Sequence, residues 1–520
     1  MTVPTPSPDA AGAPPRASGR AGAAAEPLQD LVDHARHTRV VVVGGGIAGL
    51  VAAWECAKVG MAVTLVEASD RLGGTIGSAR IGGHDVETGV TCWSTRGGAV
   101  RRLVDEVLPN APIVTPRDDR EWIAGLAKDG AAPLPTEQVL GIPANPWDEH
   151  VRRLIGWDGT WRAYLDRLRP PLTIGAQRSL GRLVRSRMGA KVRDRLVAPL
   201  TVDRFGLDPD DVDVEIAAPG LSNALTRTGW LGGAVADVRV GAPGAAIEGL
   251  DGGMPQLVAA LAERLAERGA VVHTDARAAG LVRTGETWTV ALEARTSSAV
   301  TSGETDAGLP ADLPADAVVI ATGEADARAL LAPALGAAEF ADVPPAGIAR
   351  EVVTLVVDAP ELDAAPRGAH VHAVPGARGA TGLVHETARW EWLAREIGPG
   401  RHILRVAFGA PGVVPATAGL ADADAAALAL AQASVLLGVA LDAGRIVGAH
   451  RDAFTLAPPA SALGHRDRTA GVRAAVERAH GLAAVGGWLS GSGLAQVVAD
   501  AREETDRMRR QVLWGAAATE

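Results

Sequence analysis

The stretch Val40-Val41-Val42-Val43-Gly44-Gly45-Gly46-Ile47-Ala48-Gly49, continued through residues 50–59 and then Ala62-Val63-Thr64-Leu65-Val66-Glu67, decides the fold of this chain. The valine run predicts a buried strand, residues 50–59 follow a helical pattern, and Ala62–Val66 predicts a second apolar strand ending at an acid. Between strand and helix stands Gly-x-Gly-x-x-Gly, the dinucleotide fingerprint in the βαβ context it requires. Gly44 allows the tight turn, Gly46 lets backbone approach a pyrophosphate, and Gly49 lets helix pack on strand. Ile47 and Ala48 open the helix, whose free N–H groups and dipole favour phosphate. Glu67, eighteen residues beyond Gly49, is placed to accept hydrogen bonds from ribose hydroxyls.

The stretch continues Ala68-Ser69-Asp70-Arg71-Leu72-Gly73-Gly74-Thr75. Glu67, Arg71 and Gly73-Gly74 resemble the second flavin motif of the amine-oxidase-like flavoprotein superfamily, in which an arginine and a glycine pair cradle the FAD phosphates. That resemblance implies FAD as the cofactor, with Ala68 and Thr75 beside it.

The chain has 520 residues, too many for one compact core, so two intertwined domains are expected. A formal charge of −10 argues against nucleic acid as a partner, since phosphate binding needs a basic face. Cys56 and Cys92 make neither a disulfide framework nor a metal site; no metal ligand set is expected, and a reducing cytoplasm is the simplest setting. Residues 1–37 are rich in Ala, Pro, Gly and Ser and read as a disordered leader without the apolar run of a secretory signal. There is one tyrosine, Tyr164, against twelve tryptophans, so aromatic pocket walls come mainly from Trp.

Further along stand Val86-Glu87-Thr88-Gly89, Trp93-Ser94-Thr95-Arg96, Pro133-Leu134-Pro135 and Gly141-Ile142-Pro143. With the flavin motifs, these resemble the oxygen-dependent protoporphyrinogen and coproporphyrinogen oxidases. The resemblance makes Arg96 a candidate contact for a substrate propionate, because guanidinium pairs bidentately with carboxylate. It also places Ala278 against the adenine through backbone contacts, and puts Phe454 where the family often has a tryptophan over the flavin. Ser461 replaces the family's usual tyrosine. His385-Glu386 resembles a sheet segment of the family and reads as loop or strand edge with ordinary pKa values. Near the C-terminus, Gly486-Gly487-Trp488-Leu489-Ser490-Gly491-Ser492-Gly493-Leu494 matches the family's second glycine signature without a gap. A helix starting there aims N–H groups at the flavin pyrimidine.

The chain therefore reads as α/β: a discontinuous Rossmann-like FAD-binding domain and a second α+β substrate domain, made of a sheet roofing the flavin and a helical subdomain. The FAD domain is assigned residues 38–100, 221–330 and 454–520, the helical subdomain 101–220, and the sheet with its helix 331–453. Residues 179–200 predict an amphipathic helix broken near Gly189, with Arg182, Arg185, Arg187, Arg193 and Arg195 on a solvated face that also allows weak membrane-surface contact. Residues 425–441 predict a packed apolar helix, too short to span a bilayer. The polar stretch 296–312 predicts a surface loop.

The resemblance implies oxidation of coproporphyrinogen III, or of protoporphyrinogen IX, by oxygen through FAD in haem biosynthesis. No catalytic side chain is singled out, because the cofactor carries the chemistry. A flavin amine oxidase or carotenoid-type desaturase shares the cofactor motifs, and a non-catalytic FAD- or porphyrin-binding protein is the reading from another class. Oligomeric state is not legible.

Overall fold

The computed structural model describes residues 26–126, 130–169, 178–241, 246–293, 310–336, 338–340, 347–376 and 379–515. Most of the leader and most of the stretch 296–312 lie outside them.

A five-stranded sheet forms the nucleotide domain, in the order Val271–His273, Ala62–Val66, Arg39–Val43, Ala317–Ile320, Leu482–Ala484, with every pairing parallel. The valine run is central and buried, which is why it reads as continuous rather than alternating hydrophobicity. Helix Ile47–Ala57 is buried along its whole length, covered by Leu494–Trp514 from the other end of the chain and by Pro255–Glu267. Arg502 reinforces the first contact, its Nε lying 3.3 Å from Glu55 Oε1.

A seven-stranded sheet forms the second domain. Its order is Ile446–Leu456, Ile348–Asp358, Arg401–Phe408, Ala380–His385, His370–Ala373, Glu121–Leu126, Gly130–Pro133, and only the pairing of His370–Ala373 with Glu121–Leu126 is parallel. One face packs on helix Asp422–Leu437 through Val353, Leu355, Leu404 and Val406. The opposite face looks toward the nucleotide domain at one end and toward the helical subdomain at the other.

Several expectations move. The leader's last residues form a helix, Glu26–His37, that packs on Leu494–Trp514 and Ala62–Val66, so the disordered reading fails there: Ala35 is buried although the flanking composition is polar. Helix Ala99–Val107, assigned to the helical subdomain from residue 101, buries Leu103, Val104 and Val107 in the nucleotide core. Helices Leu221–Thr228 and Leu231–Gly241, assigned to the nucleotide domain, bury Leu221, Leu225, Leu231 and Val235 in the helical core. The strand Ile446–Leu456 crosses the boundary set at 453/454, so Phe454 belongs to the sheet. The apolar helix ends at Leu437 rather than 441, stopped by Gly438 at φ 70°.

The break near Gly189 is present, between Leu180–Arg187 and Ala190–Val192. The arginines there do not share one solvated face. Arg182 and Arg185 are exposed, but Arg187 is buried with its Nε 2.6 Å from Asp166 Oδ1, and Arg193 binds Asp210 Oδ1 at 3.1 Å and also Asp208. Among the described residues, no helix is long and apolar enough to cross a membrane.

Candidate functional site

The nucleotide crevice is made by backbone. Strand Arg39–Val43 lies between Ala62–Val66 and Ala317–Ile320, the point where strand order reverses and where open parallel sheets bind ligands. Gly44 sits at φ 108°, and a Cβ there would stand 2.7 Å from Ala321 O. A Cβ on Gly49 would lie 1.9 Å from Gly44 O, so both positions are closed to any side chain. Gly46 differs: its Cβ would meet nothing within 4 Å, so it borders open space at the helix start. No side chain caps this helix and no acid occupies its first turn. Its first hydrogen bond runs from Leu50 N–H to Gly46 O, leaving the N–H groups of Ile47, Ala48 and Gly49 ahead of the ladder.

The second motif folds onto the first. Gly73 N–H donates to Gly45 O at 2.9 Å, and a Cβ on Gly74 would come within 3.3 Å of Gly46 Cα. Glu67 accepts from Gly45 N–H at 2.6 Å through Oε2, and from Ser69 N–H and Oγ–H at 2.9 and 2.7 Å through Oε1. Its carboxylate thus clamps the fingerprint, with acceptor capacity left over. Arg71 donates to Gly74 O at 3.0 Å and Ile76 O at 3.2 Å, fixing the turn that carries the exposed Thr75. Ala68 is exposed beside this turn. Ala278 begins a strand two residues past Ala276, whose N–H binds Glu67 O at 2.8 Å.

The C-terminal glycine turn closes the same crevice. Val485 N–H donates to Ile320 O at 2.9 Å, and a Cβ on Gly486 would lie 3.7 Å from Thr322 O, in the turn that Gly44 also abuts. Gly491, at φ 96°, packs on Ala460, where a Cβ would stand 2.5 Å from Ala460 N. Ser492 and Gly493 are exposed, Leu494 is buried, and helix Leu494–Trp514 again begins with neither a side-chain cap nor an acid in its first turn. Two bare helix N-termini from opposite ends of the chain therefore flank one crevice. The opening at Gly46 and these free donors fit a dinucleotide diphosphate.

The other face of the large sheet runs from the hairpin ending at Gly89 to helix Ala198–Phe205. Directly paired residues share a face, so Arg350 and Phe454, Thr354 and Arg405, Val352 and Ala407, and His370 and Val384 all point the same way. Val384 and Ala407 are only half-buried in mid-sheet, so this face, called the chamber face below, is incompletely covered there. At the crevice end Arg405 donates to Gly89 O at 2.6 Å and to Glu386 Oε1 at 3.3 Å. Beneath it Glu87 accepts from Met254 N–H at 2.5 Å, and burial pushes its carboxyl up to about 8. At the far end Asp203 Oδ2 receives His370 Nε2 at 2.7 Å and His372 Nδ1 at 2.8 Å. Burial opposes ionisation of Asp203, but the two imidazoles outweigh it and hold the carboxyl well below the usual range.

His385 overturns the expectation of an ordinary pKa. It is fully buried, with Nε2 3.0 Å from His402 Nδ1, and burial and then the charge of His402 push it down to about 3. Cys56 is buried and its thiol is pushed up to about 12, so it is no nucleophile. Arg96 is exposed on the turn Arg96–Gly98, which touches helix Leu494–Trp514; among the described residues its guanidinium has no ion-pair partner. Ser461 is buried, and its carbonyl accepts Asp213 N–H at 2.7 Å. The Asp203, His370, His372 and Glu121 cluster was not singled out from sequence. Its available signal is His370-Val371-His372 on a strand, since alternation puts both imidazoles on one face.

Fold and crevice together define an FAD-dependent oxidoreductase with a nucleotide domain assembled from separated segments. More narrowly, residues 47–359 match the flavin containing amine oxidoreductases, and the chain belongs to that family. Residues 9–83 also match pyridine nucleotide-disulphide oxidoreductases. The coproporphyrinogen III oxidase of Propionibacterium freudenreichii subsp. freudenreichii is 26% identical over 91% of this chain and 91% of its own. That of Staphylococcus aureus is 29% identical over 37% of this chain and 41% of its own. A solved structure from Exiguobacterium sp. 255-15, described as a candidate protoporphyrinogen oxidase, has a TM-score of 0.75 at 22% identity and covers 91% of this chain and 99% of its own. Putrescine oxidase bound to putrescine has a TM-score of 0.62 at 16% identity, covering 92% of this chain and 99% of its own. These two structural likenesses bear on the fold.

Proposed function

We propose that this oxidoreductase takes a porphyrinogen as substrate, coproporphyrinogen III ahead of protoporphyrinogen IX, with oxygen as the final acceptor. The observation that carries the reading is the similarity to the Propionibacterium enzyme along nearly the whole of both chains. In this reading the N–H groups at Ile47, Ala48 and Gly49 hold the FAD diphosphate, Glu67 the ribose, and the amides after Gly493 face the isoalloxazine pyrimidine. When bound, FAD supplies a hydride acceptor at its N5, reoxidised by oxygen to hydrogen peroxide, so three rounds remove six electrons from the macrocycle. The chain's own share is enclosure and placement. Val352, Val384 and Ala407 give the macrocycle an apolar wall that excludes water, and Arg96 at the rim offers a cation to a propionate carboxylate. Arg405 and the buried Glu386 fix the wall against the hairpin that ends at Gly89.

Anaerobic mixing of the oxidised holoprotein with coproporphyrinogen III, protoporphyrinogen IX and a panel of amines tests this. The flavin absorbance is expected to bleach fastest with coproporphyrinogen III. Bleaching with amines alone overturns the substrate class, and bleaching with none of them makes the protein a binder rather than an enzyme.

A further inference from the structure

The far end of the chamber face carries a cluster that neither the cofactor nor the proposed reaction uses. Its groups come from three places in the chain: Asp203 and Arg204 from helix Ala198–Phe205, His370 and His372 from one strand, and Glu121 from its neighbour. Strand pairing sets Glu121 beside His370, and the two imidazole rings stand 4.0 Å apart. His372 is fully buried and faces a carboxylate at each nitrogen, Asp203 Oδ2 at 2.8 Å from Nδ1 and Glu121 Oε2 at 3.4 Å from Nε2.

A neutral imidazole has one N–H and one lone pair. If His372 donates Nδ1–H to Asp203, its Nε2 lone pair and the Glu121 oxygen face each other as two acceptors. Either a second proton on the ring or a metal ion between them resolves that contact. One ligand atom each from Glu121, His370 and His372 can be chosen so that all lie within 4.8 Å of one another. Ligands bound tetrahedrally at about 2.0–2.2 Å to one zinc ion stand roughly 3.3–3.6 Å apart, so rotations of the side chains by about an ångström close the set.

We propose that Glu121, His370 and His372 bind a divalent first-row cation of zinc's class, with Asp203 as the outer carboxylate that orients His372. Two imidazoles and one carboxylate suit that borderline class better than magnesium or calcium, which take oxygen ligands. An acid on the far nitrogen of a ligand histidine fixes its tautomer and raises its basicity. Asp203 is itself held: Arg350 donates to its carbonyl and lies 3.3 Å from Oδ1, and the carboxylate fills the space over Gly382, where a Cβ would come within 2.4 Å of it. Arg204 binds the other oxygen of Glu121, leaving one oxygen for the ion. All three ligands stand on the sheet, and Asp203 and Arg204 tie them to helix Ala198–Phe205. The expectation of no metal came from the two lone cysteines, a criterion blind to ligands brought together from residues 121, 370 and 372.

FAD-loaded protein stripped with a chelator is titrated with Zn²⁺ by calorimetry and with Co²⁺ by visible absorption. One equivalent is expected to bind with the d–d bands of a nitrogen- and oxygen-ligated site, and thermal unfolding should shift upward with ion concentration. His372→Ala and Glu121→Gln should each abolish the bands, and Asp203→Asn should weaken binding about 10–100-fold. Retention of the bound-flavin spectrum certifies that each variant is folded. Saturable uptake that is unchanged in His372→Ala and Glu121→Gln overturns the proposal. So does a wild-type protein that takes up no ion while His372 carries protons on both nitrogens by NMR, since a proton then fills the place assigned to the metal.

Discussion

The crevice and the far end of the chamber face are built from opposite materials. Around Gly44, Gly46, Gly49 and Gly493 the groups offered are N–H donors at two uncapped helix starts, and the feature that matters is missing side chains. Around Asp203 the groups are side chains, and Gly382 is there to make room for one. A site made of backbone breaks when a Cβ is added and tolerates changes in charge. A site made of ionised side chains breaks when one member is removed, because its partners stay buried and unpaired.

Substitutions can test that contrast. Asp203→Ala leaves His370, His372 and Arg350 facing an empty acceptor position; the expected loss is about 3–5 kcal/mol in urea unfolding of the FAD-loaded protein. A loss below about 1 kcal/mol would show that the cluster is solvated or loosely held. Gly44→Ala is expected to cost about 1–3 kcal/mol from its left-handed backbone alone, with FAD lost from the purified protein. Retained flavin and unchanged stability would remove the close approach to Ala321.

Two of the buried titrating groups, Glu87 and His385, give opposite pH slopes. Glu87 titrates near 8 when folded against 4.5 in the reference state. Between those values the folded chain keeps a proton that the unfolded chain has released, so stability falls as pH rises through the window, by at most about 1.4 kcal/mol per pH unit. His385 titrates near 3 against 6.5 in the reference state. There the unfolded chain gains the proton first, and stability falls as pH drops from 6.5 toward 3. Glu87→Gln should flatten the alkaline limb of a Tm–pH curve and His385→Gln the acid limb. A limb that keeps its slope in its variant assigns the titration to another group.

Gly46→Ala has the smallest expected effect on folding, within about 0.5 kcal/mol, since its Cβ enters open space at an ordinary φ of −68°. Its FAD affinity should nevertheless fall, because the proposed function brings the diphosphate into that space. Equal FAD affinity in Gly46→Ala and wild type would put the diphosphate elsewhere.

The same contrast explains what could be read from the chain. The fingerprint is legible because part of its geometry acts within a few residues: Gly49 is dictated by Gly44 O five positions before it. Strands such as Ile348–Asp358 and Arg401–Phe408 announce themselves by composition. The Asp203 cluster is not legible, since its contacts span 167 and 169 residues and no local pattern fixes them. The resemblance placed Arg71 at the phosphates, and the fold uses it to hold the carbonyls of Gly74 and Ile76. Domain boundaries slipped where helices such as Ala99–Val107 pack away from their neighbours in sequence.

The central claim is that one FAD is gripped by both ends of the chain, and amide hydrogen exchange with and without FAD tests it most directly. The expected result is one equivalent of FAD slowing exchange at Ile47, Ala48 and Gly49 and, at the same concentration, at Leu494 and Ala495. Protection confined to the N-terminal set, with the C-terminal helix start exchanging as freely as before, would contradict it.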